Sequence, residues 1–319
     1  MQKSIEYLNT YAKLLRETRT AEQLYGNVLA WQFAQHASPS VGLVAPGVHV
    51  QRTISERYLK MPPGHVGPHD RAWLRHDHLP TTAVGGFNGL LVVAAMPSWS
   101  EKLNPEEMRR RGANPNANRA FCERLFADHA DHAAKLTWWM RVARFAYRVM
   151  EHGDLPNDVD LLKWATKGMV GNVDLMPFHC QDDKLTGYFG DGQRLQETEP
   201  LLVALYASAV ETLRMAARLR PKAILVASRS GAYLASELAC ALGAERTDDL
   251  VVEFDDTVTI ADKQWPWFQR VHLHRFILPN DGGGTTTMYT LAGQLFSTQA
   301  NLTKMHAPLA FAIRKDLRL

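Results

Sequence analysis

The stretch Asn88–Pro105, "NGLLVVAAMPSWSEKLNP", decides the fold reading. An apolar, partly β-branched run from Gly89 to Met96 breaks at Pro97 and gives way to polar chain, the pattern of a buried strand that ends in a loop. Runs of the same kind recur downstream as "GMVGNVDLMPF" (168–178), "KAILVAS" (222–228), "DLVVEF" (249–254) and "VHLHRFIL" (271–278). Helical periodicity lies between and after them, over Ala120–Met150, Leu201–Leu219, "GAYLASELACAL" (231–242) and a helix expected near Met288–Gln299. Strands alternating with helices predict right-handed crossovers and an α/β three-layer sandwich, with a mostly parallel sheet of four or five strands. Ahead of this rhythm, Ile5, Leu8, Tyr11, Leu14 and Leu15 recur at helical spacing, whereas 36–87 is rich in Pro, Gly and His without a period. The chain therefore divides into a helical and irregular extension, 1–85, and an α/β domain, 86–319.

Composition narrows the class. With 46% hydrophobic and 22% charged residues the chain is neither fibrous nor disordered. A formal charge of +3 permits a nucleic-acid partner only through a local basic face. Three distant cysteines, Cys122, Cys180 and Cys240, offer no disulfide framework and point to a reducing compartment. The first twenty residues are charged throughout, unlike a signal peptide, and no window reaches membrane length. A cytoplasmic protein without a membrane partner is expected.

Ligands of open parallel sheets sit at the carboxyl ends of the strands. The informative residues are those just past each apolar run: Met96-Pro97-Ser98-Trp99, then Asn172 to Cys180, then Ser228-Arg229-Ser230-Gly231, then Leu278-Pro279-Asn280-Asp281.

Taken in order, these segments resemble the uracil-DNA glycosylase superfamily. "VVAAMPS" is similar to the family's first motif, "PNANRAF" (115–121) to the stretch that follows in mismatch-type members, and "GNVDLMPFHC" to the strand with the base-reading Asn, here Asn172. "AILVASRSGAYLA" resembles the third element, and "FILPND" stands where the last motif belongs. The resemblance implies a DNA glycosylase that hydrolyses the N-glycosidic bond of a flipped base and leaves an abasic site, acting as a monomer on DNA without cofactor or metal. The family's catalytic Asp or Asn is Met96 here, and its last-motif His is Leu278. Glu101, Asp174 and His179 are the remaining groups able to support a sugar cation, orient water or donate to the departing base. Met96, Pro97, Ser98, Trp99, Asn172 and Phe178 would line the base pocket. Ser98 occupies the place where the uracil enzymes carry a bulky aromatic against the C5 side of the base. A small residue there favours a modified pyrimidine, which suits defence against phage with modified DNA. Ser228, Arg229, Ser230, Asn280 and Asp281 belong to loops whose backbone N–H groups can hold phosphates, and the glycines of "NDGGGTTT" (280–287) allow close approach, with a Thr free to cap a following helix.

Two other classes compete. "SRSGA" (228–232) resembles the strand-turn-helix of an α/β-hydrolase, with Ser230 as nucleophile followed by Asp255 or Asp256 and by His272, His274 or His306, although neither elbow glycine is present. A non-catalytic DNA-binding protein on a glycosylase fold is the third. His129 and His132, near Cys122, lack the Glu of a zincin helix, and "HLHR" (272–275) lacks a neighbouring carboxylate in sequence; neither is read as a metal site.

Overall fold

A computed structural model describes residues 2–20, 23, 89–94, 137–175, 200–226, 229–260, 263–281, 283–291 and 300–319. In chain order these form α1 (Gln2–Glu17), β1 (Leu90–Ala94), α2 (Thr137–Met150), α3 (Asp158–Trp164), a π-helical turn (Ala165–Met169), β2 (Val170–Asp174), α4 (Pro200–Arg218), β3 (Ala223–Val226), α5 (Arg229–Ala241), β4 (Glu245–Ile260), β5 (Lys263–Pro279), β6 (Thr285–Leu291) and α6 (Ala300–Leu317).

The six described strands make one sheet in the order β2-β1-β3-β6-β5-β4. The ladders β2–β1, β1–β3 and β3–β6 are parallel, and those on either side of β5 are antiparallel. Only β5 runs against the other described strands. Side-chain alternation divides the core between the two faces of this sheet. Leu91, Val93, Ile224, Val226 and Met288 pack with α1, α4 and α5; Leu90, Val92, Ala223, Leu225 and Leu291 pack with α2, α3 and α6. Strands buried on both sides read as unbroken apolar runs, which is why β1 and β3 stood out in sequence. The described elements form an α/β arrangement compatible with a three-layer sandwich, with six described strands in place of four or five.

Two expectations are corrected. Met288 to Leu291 belong to β6 instead of opening a helix, and the C-terminal helix begins at Ala300. The segment "TTTMYTL" is β-branched and aromatic, with Met288 and Tyr289 on opposite faces, so it suits a pleated strand better than a helix. The threonines of "NDGGGTTT" consequently start a strand and cap no helix. The runs read as separate crossover strands at 249–254 and 271–278 are instead the two halves of one long hairpin. Their connection, Ala261-Asp262, is far too short for a parallel crossover, so β5 must turn back along β4.

The division at 85/86 falls outside the described residues. On its N-terminal side, α1 buries Tyr7, Leu8, Tyr11 and Leu15 in the same core as β1 and α4. The seam is closed by a buried guanidinium. Arg218, at the end of α4, has a side chain only 4% exposed. Its Nη1 donates to the carbonyls of Leu15 (3.1 Å), Arg16 (2.8 Å) and Thr18 (2.9 Å), where α1 runs out of intrahelical partners. Its Nε donates to Asp281 Oδ2 at 2.7 Å, in the turn between β5 and β6. Glu211, two turns earlier in α4 and buried, lies 3.8 Å from Arg218 and accepts from Arg16 at 3.2 Å and from Arg214.

Glycine is required at two places. A Cβ on Gly89 would stand 1.8 Å from the Met169 carbonyl oxygen, so the starts of β1 and β2 approach too closely for any side chain. Gly283 and Gly284 have φ of 77° and 94°, left-handed backbone that closes the β5–β6 hairpin. Replacing Arg218 by Met should lower the unfolding free energy by about 3–5 kcal/mol, because three carbonyls and the Glu211 carboxylate lose a buried partner. Urea titration measures this; a loss below about 1 kcal/mol, typical of an exposed pair, would remove Arg218 from this role.

Candidate functional site

Strand order and helix placement locate the topological switch point of the sheet. β1 lies between β2 and β3. The next described helix after β1, α2, packs on one face of the sheet, whereas α5, directly after β3, packs on the other. Adjacent strands followed by helices on opposite faces mark the topological switch point of an open α/β sheet, where ligands of such sheets bind. Register brings the relevant ends level: Val93 pairs with Val226, Ala94 with Asp174, and Val226 with Thr290.

Asp174 is the last residue of β2 and half-buried at this rim. Period-2 alternation assigns it to the face of Val170, opposite Val173 and Leu175. The next amide, Leu175 N–H, donates to the Ala94 carbonyl at 2.9 Å and ties the end of β2 to that of β1. Asn172 stands two residues earlier, level with Val92. Arg229 and Ser230 open the helix α5, which two residues separate from the end of β3. Thus β2 with Asn172 and Asp174, β1 leading toward Met96, and β3 leading toward Ser230 meet at one rim. Met96, Pro97, Ser98, Trp99, Glu101, Phe178, His179 and Ser228 lie outside the described residues.

The fourth predicted segment does not join them. Because β5 is antiparallel, Pro279 pairs with Thr285 at the start of β6, so Asn280 and Asp281 occupy the opposite rim. Both have structural partners there. Asn280 Nδ2 donates to Thr286 Oγ1 at 3.0 Å, Thr286 Oγ1 donates to the Ala217 carbonyl at 3.2 Å, and Asp281 receives Arg218. An X-Pro-Asn-Asp stretch after an apolar run reads alike at either rim; only strand direction separates the cases.

The hydrolase arrangement meets a conformational obstacle. Ser230 is the second residue of α5, inside helical backbone, and the non-glycine residues at positive φ among those described are Arg220 and Arg318. A nucleophile elbow holds its serine in a strained turn between strand and helix. Asp255 and Asp256 lie far along β4, paired with Phe268 and Trp267, in the part of the hairpin that has outrun β6.

A cluster discounted in sequence does acquire a carboxylate. Asp249, brought across the hairpin by the irregularity between Thr247 and Leu250, places Oδ2 3.0 Å from His274 Nδ1 and 3.7 Å from His272 Nδ1. Arg246 shares the spot, 3.4 Å from Asp249 Oδ1 and 3.0 Å from His274 Nδ1. Burial raises the Asp249 pKa, but the hydrogen bonds and charges of His274 and Arg246 outweigh it and hold the carboxyl below its ordinary value. A guanidinium against the imidazole makes this an ion-pair cluster, and no group of three ligating side chains suited to a metal occurs among the described residues. No described helix is long and apolar enough to cross a membrane.

No protein family, curated protein or solved structure matches this chain. The helical setting of Ser230 predicts that a fluorophosphonate probe leaves it unlabelled at concentrations that saturate a serine hydrolase. Intact-mass spectrometry reads the adduct, and stoichiometric labelling that Ser230→Ala abolishes would restore the hydrolase assignment.

Proposed function

We propose that the protein is a DNA glycosylase of the uracil-DNA-glycosylase-like type, hydrolysing the N-glycosidic bond of a modified pyrimidine. One observation carries this reading: a carboxylate, Asp174, ends the strand beside the β1–β3 switch point. Cleaving an N-glycosidic bond builds positive charge on the sugar, and a carboxylate at the rim can stabilise that charge or orient the attacking water. The target base must leave the stack and enter a shaped crevice, which the diverging continuations of β1 and β3 would provide.

In this reading Asn172 offers a donor and an acceptor to the base edge. The Met96–Trp99 loop forms the pocket floor, with Ser98 leaving room beside C5 of the pyrimidine. Glu101 and His179 assist from the loops after β1 and β2. Phosphates flanking the base are held by backbone amides opening α5, at Arg229 and Ser230. Asn280 and Asp281, on the other rim, drop out of this set. The enzyme acts as a monomer in the cytoplasm and needs neither metal nor cofactor, and viral DNA with modified bases is the natural target.

Purified protein incubated with oligonucleotides carrying uracil or C5-substituted pyrimidines, single- or double-stranded, should leave alkali-labile abasic sites on a substituted substrate. Asp174→Asn should slow release by about 10²–10⁴-fold, the range of a lost acid-base group, while leaving DNA affinity near wild type. DNA bound without any abasic product from the whole panel would leave a binding protein and end the enzyme assignment.

A further inference from the structure

The rim opposite the proposed crevice carries its own chemistry. Five exposed basic residues gather where the parallel strands begin: Arg16 and Arg19 at the end of α1, Lys167 just before β2, and Arg220 and Lys222 just before β3. Bonds on this rim establish their proximity. Arg218 holds the end of α1 two residues from Arg220. Lys222 N–H donates to the Gly89 carbonyl at 2.9 Å, and Gly89 in turn lies against Met169, two residues after Lys167. The carboxylates nearby are occupied or few: Asp281 receives Arg218, Glu211 is buried and accepts from Arg214 and from Arg16, whose side chain stays largely exposed, and Glu17 is exposed.

Arg220 adds a second, independent observation. Its φ is 51°, a left-handed conformation that favours glycine, and it precedes Pro221, which pushes the residue before it toward extended backbone. Arg318, which ends α6, has φ of 55°; these are the non-glycine residues at positive φ in the described chain, and both are arginines closing helices. Interaction with the helix dipole does not require this, since α4 already has Arg218 and α6 has Arg314 and Lys315 in their last turns. At Arg220 an exposed cation is kept against backbone preference beside the other basic residues of this rim, and that conjunction is the reason to ask what it binds.

We propose that this rim is a nucleic-acid backbone site, separate from the base crevice, on which Arg16, Arg19, Lys167, Arg220 and Lys222 contact the phosphates of a second stretch of nucleic acid. A bilayer is the poorer fit, because the exposed large apolar side chains in the described structure, Val203, Val251 and Phe311, lie on α4, β4 and α6 and none belongs to this row. The protein would thereby hold one segment at the crevice and another across the molecule. The partner is named by the function proposed above, but the contacts do not depend on catalysis.

The test is fluorescence anisotropy with a labelled oligonucleotide, single- and double-stranded, of unmodified sequence, titrated from about 50 to 200 mM salt. The triple variant Lys167→Gln, Arg220→Gly, Lys222→Gln should weaken binding at least about tenfold at the lower salt and reduce the slope of log affinity against log salt by about 2–3. Arg220→Gly alone should weaken binding while keeping or raising Tm, because glycine relieves the backbone; a merely structural role would lower Tm instead. Weakened binding by these variants with no base released by wild type would uphold this rim and overturn the glycosylase. Base release by wild type with triple-variant affinity and salt slope unchanged would overturn the rim alone. Equal weakening toward anionic vesicles and nucleic acid would overturn the choice of partner.

Discussion

A single guanidinium joins parts of the chain that are distant in sequence. Arg218 leaves the end of α4, caps the carbonyls that α1 cannot satisfy, and meets Asp281 in the turn that returns β5 to β6. Without it the carboxyl end of α1 would lose its side-chain cap in a place where water is scarce, and Glu211 would keep its charge with one partner fewer. The arrangement fixes α1 against α4, which sets the layer covering β1 and β3.

The two rims of the sheet thus divide their labour. At the rim where the parallel strands begin, the backbone is heavily committed: Gly89 approaches Met169, Asn280 holds Thr286, which binds the end of α4, and Arg218 fills the seam. At the other rim β1, β2, β3 and β6 end side by side, and the hairpin of β4 and β5 continues past them. About ten residues of β5 pair only with β4 among the described strands, a reach of roughly 34 Å at strand rise. This arm carries Glu253, Asp255 and Asp256 on β4 against Lys263 and Arg270 on β5, so it brings no net positive charge to the rim it overhangs. A polyanion seated at the crevice would have to find its cations in the loops and at the start of α5.

Much of the fold was legible in the residues. The runs at 89–96 and 222–228 are apolar because both faces of their strands are covered, and the structure gives β1 and β3 there. The spacing of Leu8, Tyr11 and Leu15 matches the buried side of α1. Periodicity failed at Met288, where a short β-branched strand and the start of a helix look alike over four residues. It failed again at 271–278, because an apolar run carries no arrow: the same letters describe a strand running with its neighbours or against them. That one ambiguity moved Asn280 and Asp281 from one end of the molecule to the other.

The sequence by itself determined most of the strands and helices, β6 excepted, since burial on one or two faces writes a local period into the chain. It also determined the residue types at the strand ends, Asn172 and Asp174 among them. Only the tertiary structure decided the strand order, the reversal at β5 and the placing of α2 and α5 on opposite faces, because these follow from long-range packing and from the length of each connection. The meeting of Arg218 with α1, and of Asp249 with His272 and His274, was invisible for the same reason: residues far apart along a chain become neighbours only when a fold closes the distance.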